Sequence, residues 1–279
     1  MTFRAPYIVA VRAPFPGAAG ESELTVVILT RNEAARLPRC VTAVPPCYPV
    51  LVIDSGSTDG TAGVARGLQC AVVVNPWPGF AAQRNFALSN CGIASPWTLF
   101  IDADEIFPEA FFRWFEESFD RGAADAVWIS SRLAFEGREL RFAPGYPIWH
   151  ARLVRTSALR FVANHSGHGE TVPQGARTIR IDIPYRHEFY QGDITGWFTK
   201  HLSLADAEAG AGTTDGSALS SRGRISRRLS PTLLRAPLRF LYHYVIRGGF
   251  RDGRAGYEYA SMYAWYELTK YLIGRARRD

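Results

Sequence analysis

No C-x-x-C pair occurs anywhere in this chain: its four cysteines, Cys40, Cys47, Cys70 and Cys91, stand apart from one another. Nothing near the start resembles a signal peptide, because Arg4 and Arg12 interrupt the one stretch that could pass for an apolar export segment. Reduced thiols and a cytosolic setting are therefore expected. No window reaches the roughly 18 uncharged apolar residues that a membrane-crossing helix needs. No G-x-G-x-x-G follows the first strand-like segment, so a dinucleotide fingerprint is missing. Nothing resembles a helix-turn-helix, an RRM or a zinc finger, and a nucleic-acid partner is not expected. There is no internal repeat.

What is present is an ordinary apolar fraction of 47%, ample for a core, and an uneven charge. From Arg222 onward thirteen Arg and Lys residues face four Asp and Glu, whereas the first 221 residues carry a small negative balance. Such asymmetry points to an anionic partner surface met by the tail.

The first residues, with Pro6, Pro14, Pro16, Gly17 and Gly20, read as an irregular lead-in over 1–22. Leu24–Leu29 is a continuous apolar run, as expected of a strand covered on both faces. Further strands are expected at Val50–Ile53, Ala71–Val74 and Trp97–Ile101, with helical stretches between them. Strands alternating with helices at this spacing predict an α/β fold with a mostly parallel, doubly wound sheet. A helix from Pro108 to Ser118 and a strand from Ala126 to Leu133 follow, then mixed strands and loops to about residue 190. The small and polar residues of 206–229 read as a linker or mobile loop. Two basic, aromatic helices complete the chain over 230–279, at about Pro231–Arg247 and Arg254–Ile273. The division expected is thus one domain over 23–205, in two halves that meet at 105 and 106, and a C-terminal helical extension.

Four groups of residues carry chemistry. Asp102-Ala103-Asp104-Glu105 follows the fourth strand directly, so its carboxylates reach the carboxyl edge of the sheet, where open α/β sheets bind ligands. Two hard oxygen donors there suit Mg²⁺ or Mn²⁺ carrying a nucleotide diphosphate, and a capped strand-to-helix turn is the plainer alternative. Asp54 ends the second strand and opens a loop dense in turn formers through Thr61, placed to accept hydrogen bonds from a base or ribose or simply to cap its own turn. Gly79 permits an unusual backbone, and Arg84 lies one turn into the helix that follows, within reach of a diphosphate or of solvent. His165, His168 and Glu170 share a glycine-rich loop; zinc is disfavoured there, and a carboxylate base with a histidine neighbour competes with an ordinary polar surface loop.

Taken in order, Thr30-Arg31-Asn32-Glu33, the Asp54–Thr61 loop, Gly79–Asn85 and Asp102–Glu105 resemble the inverting glycosyltransferases of family 2, with the GT-A fold. Within that family the chain is similar to the branch holding the lipopolysaccharide-core β-1,4-glucosyltransferases. The likeness is strong from 24 to about 190 and returns at Arg247–Gly256. The resemblance implies that Thr30, Arg31, Glu33, Asp54, Gly79, Arg84, Asp102 and Ala103 line the nucleotide-sugar site. It implies that Asp104, with Asp102, holds Mn²⁺ or Mg²⁺. Glu170 is implied as the base with His168 beside it, although Gly169 separates two residues that relatives keep adjacent. The implied partners are a nucleotide-sugar donor, favoured as a UDP-sugar, and a glycolipid or lipid-linked acceptor, while the basic, aromatic amphipathic helices of 230–279 suit an anionic membrane surface or packing on the catalytic domain. The implied location is the inner face of the cell membrane, as a peripheral protein. Two other readings remain: a nucleotide-sugar-binding protein without turnover, and an Asp-x-Asp phosphohydrolase, whose acidic pair would ordinarily follow the first strand.

Overall fold

The structure, a computed structural model, describes residues 22–163, 170–210 and 233–277. Its chain divides into two compact units. The first takes in the described part of residues 1–131, 147–163 and 169–187, and the second the described part of 132–146 and 188–279. The expected lead-in, the segment 211–229 of the expected linker, and His165 and His168 lie outside the described residues.

In the first unit, β1 (Leu24–Thr30) is buried along its whole length. Its residues alternate between two apolar layers. Leu24, Val26 and Ile28 face one, while Val27 and Leu29 face the other, as a period of two requires. Parallel neighbours flank it: β2 (Val50–Asp54) on one side and β4 (Trp97–Asp102) on the other, with β3 (Ala71–Val74) beyond β2. The crossovers are α1 (Leu37–Thr42), α2 (Thr61–Gly67) and α3 (Phe80–Asn90). After β4 the chain forms β5 (Glu105–Ile106), α4 (Glu109–Glu117), β6 (Ala126–Phe135), β7 (Arg138–Glu139), β8 (Ile148–Arg155), β9 (Val162–Ala163), β10 (Glu170–Thr171) and β11 (Thr178–Tyr190). The main sheet runs β3-β2-β1-β4-β8-β6-β11-β5. It is parallel across its first four strands and antiparallel where β4 meets β8, β8 meets β6 and β11 meets β5. Phe111, Phe112 and Phe115 of α4 join one apolar layer, and Ala87 and Leu88 of α3 join the other.

The second unit contains α5 (Ile194–Gly210), α6 (Arg235–Leu241), a π-helical turn (Tyr242–Ile246), a 3-10 turn (Gly249–Asp252) and α7 (Gly253–Ala276). Aromatic rings fasten α5 to α7: Phe198 meets Trp265 edge-on at 4.4 Å, and Trp197 lies 5.9 Å from the same ring. The Arg247–Gly256 segment is an elbow. The Asp252 carboxylate accepts the backbone N–H groups of Arg141, Phe142 and Ala143 at 2.8–3.0 Å. A Cβ placed on Gly256 would stand 2.0 Å from the Gly249 carbonyl oxygen. Glycine at 256 is thus required by a backbone that passes too close for any side chain. Among the described residues no helix is long and apolar enough to cross a membrane.

Candidate active site

Sheet register brings the sequence-predicted carboxylates to one edge. Thr30 lies opposite Asp54 on one side of β1, and Leu29 lies opposite Asp102 on the other. Backbone bonds from Ser55 to Thr30 and from Ala103 to Leu29 continue the pairing past the strand ends. Ala103 is buried and leaves its neighbours on either side to form the rim.

On the β2 side the polar groups bind one another. Asp54 is buried and accepts from the Thr30 hydroxyl at 3.1 Å, from the N–H groups of Gly56 and Ser57 at 3.2 and 2.9 Å, and from the Ser57 hydroxyl. Its carboxylate organises the loop that follows β2. Asn32 adopts a left-handed backbone, φ 56°, which asparagine tolerates. Its side-chain oxygen accepts the Thr58 N–H at 2.8 Å, and its own N–H donates to the Ser57 hydroxyl at 2.8 Å. Glu33 donates its backbone N–H to Thr61 and pairs with Arg36 at 3.1 Å, whereas Arg31 is exposed beside them. The two loops after β1 and β2 are therefore stitched into one surface.

Gly79 precedes α3 with φ 110° and ψ 163°, a backbone open essentially to glycine alone. From there α3 carries Gln83 and Arg84 inward. Gln83 donates to the Ser55 hydroxyl and accepts from the Asn75 side chain, tying the helix to the ends of β2 and β3. Arg84 is buried over the rings of Phe100 and Phe161 and donates to Asp102 Oδ1 at 3.2 Å.

Around Asp102 the structure adds residues that no motif announced. Arg152 on β8 donates to Asp102 Oδ2 at 2.8 Å and to Glu105. Glu105, wholly buried, also accepts the Asp102 backbone N–H at 3.0 Å. Burial opposes ionisation of Asp102, but the Arg152 and Arg84 guanidiniums outweigh it and hold its carboxyl below the usual carboxylate range. Glu105 lies deeper: burial pushes it up to about 7 against the pull of Arg152. Arg152 also donates through Nε to the Tyr185 hydroxyl at 3.3 Å, and that hydroxyl meets His150 Nδ1 at 2.5 Å. Since Tyr185 accepts from Arg152, its own proton goes to His150, and the imidazole proton is assigned to Nε2. Burial, with Arg152 adding to it, lowers the His150 pKa to about 3 and keeps the ring neutral.

Asp104 faces the other way. One of its oxygens stands 3.5 Å from His187 Nε2. His187 is held there because β11 pairs with β5 in the register that puts it opposite Glu105. Burial, the largest single influence on His187, lowers its pKa, but the Asp104 charge and hydrogen bond together with the Glu105 and Asp102 charges outweigh it, so the net shift is upward.

The two aspartates expected to hold the metal stand in different surroundings. Both Asp102 oxygens accept from guanidiniums, Oδ1 from Arg84 and Oδ2 from Arg152. Asp104 and His187 offer one carboxylate and one imidazole, a mixed oxygen and nitrogen set that suits Mn²⁺ better than Mg²⁺. No group of three such ligands occurs among the described residues. A cation at Asp104 would thus keep positions open for diphosphate oxygens and water. Of the expected base, the structure describes Glu170 as the first residue of β10, paired with Ala163 on β9.

A family model, Glycosyl transferase family 2, matches residues 25–171. The lipopolysaccharide core biosynthesis glycosyltransferase LpsC of Rhizobium meliloti (strain 1021) is 30% identical over 163 residues, which cover 54% of this chain and 58% of LpsC. An uncharacterized glycosyltransferase of Rickettsia felis is 43% identical over 84 residues, 30% of this chain and 29% of its own length. The chain thus spans less than two thirds of these relatives. Among solved structures, the mannosyltransferase PcManGT from Pyrobaculum calidifontis, in complex with GDP-Man and Mn²⁺, is similar with a TM-score of 0.50 at 14% identity, over 99% of this chain and 92% of that one. That likeness concerns the fold, and the fold is GT-A. With more than half its length inside the family model, this chain belongs to glycosyl transferase family 2.

Proposed function

We propose that this protein is a metal-dependent, inverting glycosyltransferase. It moves a sugar from a nucleotide-sugar donor, a UDP-sugar in the reading favoured here, to a glycolipid or lipid-linked glycan in cell-envelope polysaccharide or lipopolysaccharide biosynthesis. The observation that carries this reading is the division of labour at the β4 edge, where Arg84 and Arg152 lock Asp102 while Asp104 stays with His187. The name of LpsC supports the lipopolysaccharide setting, and the GDP-Man and Mn²⁺ bound to PcManGT support a donor and metal of this kind.

Under this reading Thr30, Arg31, Glu33, Asp54 and Gly79 shape the pocket for base and ribose. Asp102 and Ala103 form its floor beside the diphosphate, and Arg84 with Arg152 adds positive potential where charge accumulates on the leaving group. Mn²⁺ held by Asp104 with Asp102, with the His187 imidazole close by, would supply Lewis-acid stabilisation of the nucleoside diphosphate. His150 presents a neutral Nε2–H donor at the same rim. Glu170 removes the acceptor proton as its oxygen attacks the anomeric carbon from the face opposite the diphosphate, with His168 beside it, so the configuration inverts. The catalytic part is 23–205. The helices of 230–279 face anionic lipid, which puts the enzyme on the inner face of the membrane.

The test is release of nucleoside diphosphate from a panel of nucleotide sugars in Mn²⁺, with and without acceptor lipid. Turnover with one donor upholds the reading; donor binding without turnover makes the protein a binding module instead. Glu170→Gln is expected to lose transfer and keep donor affinity, and a collapse of affinity would reassign Glu170 to binding.

A further inference from the structure

Helix α6 and the π-helical turn after it are built with their charged face inward. Arg235, Arg239 and His243 recur every four residues and point into the second unit. Arg235 Nε lies 2.7 Å from Glu267 Oε2, Arg239 lies 3.0 Å from Glu267 Oε1, and His243 Nδ1 bonds the Ala143 carbonyl at 2.8 Å. The apolar stripe Leu234, Leu238, Leu241 and Val245, at the i, i+4, i+7, i+11 spacing that ordinarily seeks a core, points outward. These side chains are 65%, 46%, 48% and 54% exposed, and Ile246 beside them is 74% exposed. Arg235, by contrast, is only 24% exposed. A helix that turns its arginines in and its leucines out is built for an apolar medium outside.

We propose that this stripe, Leu234 through Ile246 with Phe250 at its end, is a wedge that enters the interfacial layer of an anionic bilayer. The proposal deepens the membrane-surface reading given above, narrowing 230–279 to one face of one helix and leaving α7 as the strut behind it. Charge around the stripe selects lipid over a second copy of the chain. Exposed Arg251 and Arg254 and half-buried Arg247 follow the stripe. The Arg251 guanidinium lies 5.2 Å from the Phe142 ring and 6.0 Å from the Phe250 ring, so Phe250 can dip while the charge stays among headgroups. Two copies joined symmetrically through the stripe would set like arginines against each other, whereas anionic headgroups complement them. The stripe is far shorter than a span, so the helix lies in the plane of the surface.

The experiment is flotation of the full chain with phosphatidylcholine–phosphatidylglycerol vesicles at low and high salt. It compares the parent with Leu238→Gln/Val245→Gln and with Arg251→Gln, and each variant's mass and thermal midpoint are measured alongside. The double apolar variant is expected to fold and to lose at least about tenfold in partitioning at both salts. Arg251→Gln is expected to lose less, and mainly at low salt. Equal flotation of a folded double variant overturns the wedge. So does a parent dimer that becomes monomeric in the double variant while flotation is unchanged. Nucleotide release in vesicle-free solution is read in parallel: turnover without flotation defeats the wedge and spares the transferase, and flotation without turnover does the reverse.

Discussion

Two arginine pairs in this protein each grip one carboxylate, and they serve opposite ends. Arg84 and Arg152 hold Asp102, whose side chain remains 33% exposed at the sheet edge. Arg235 and Arg239, joined by Lys270, hold Glu267, whose side chain is 2% exposed. The first group keeps a face open to solvent, and under the proposed function its charges answer charge that comes and goes on a ligand. The second is sealed and fixes one helix against another. The difference lies in which side of the carboxylate is left wet, since the donors are the same chemical group in both.

The comparison breaks most visibly at Asp104, which stands on the open side. Asp104→Ala is expected to lower Mn²⁺-dependent nucleotide release at least about a hundredfold with little change in the unfolding midpoint. Chelation should reproduce the loss, and added Mn²⁺ should restore activity only in the parent. At the sealed group the pattern reverses. Glu267→Gln leaves three cations without their counter-charge and is expected to cost roughly 2 kcal/mol in urea unfolding. That is less than for a wholly dry pair, because the arginines are partly wet. If Glu267→Gln instead spared stability, the strut would be ornamental and the contrast would fall.

Smaller effects sharpen the open side. Tyr185→Phe removes the hydroxyl that links Arg152 to His150 and is expected to cost about 1 kcal/mol in unfolding. His150 tests the same link by pH. Its folded pKa, about 3, lies below the ordinary 6.5, so its contribution is present above 6.5 and drains away as pH falls toward 3. The thermal midpoint should therefore fall on acidification, and less steeply in His150→Gln than in the parent, as measured by calorimetry across that window.

Much of the first unit was legible because its signals are local. Continuous apolar runs located β1, β2 and β4, the last two ending in acidic residues, and the parallel register then put Asp54 and Asp102 at one edge without further information. Arg152, Tyr185, His150 and His187 were missed because they come from β8 and β11, antiparallel strands that reach the edge from far along the chain. The one signal for Arg152 was a lone arginine within Ala151–Val154, a strand segment otherwise apolar on both faces. Such a residue reads as solvated until a buried acid is found opposite it. In the tail, composition pointed to basic, aromatic helices, but composition is blind to which face is inward. That orientation was settled by Glu267, some thirty residues downstream.

The close crossing of Gly249 and Gly256 acts as a mechanical stop. With no space for even a methyl group, the elbow holds one angle between α6 and α7, and the leucines ahead of it keep one heading. An alanine at 256 would pry that angle open and tilt the row of leucines while deleting none of them. Grip on a surface would then be lost to misdirection, with every adhesive side chain still in place.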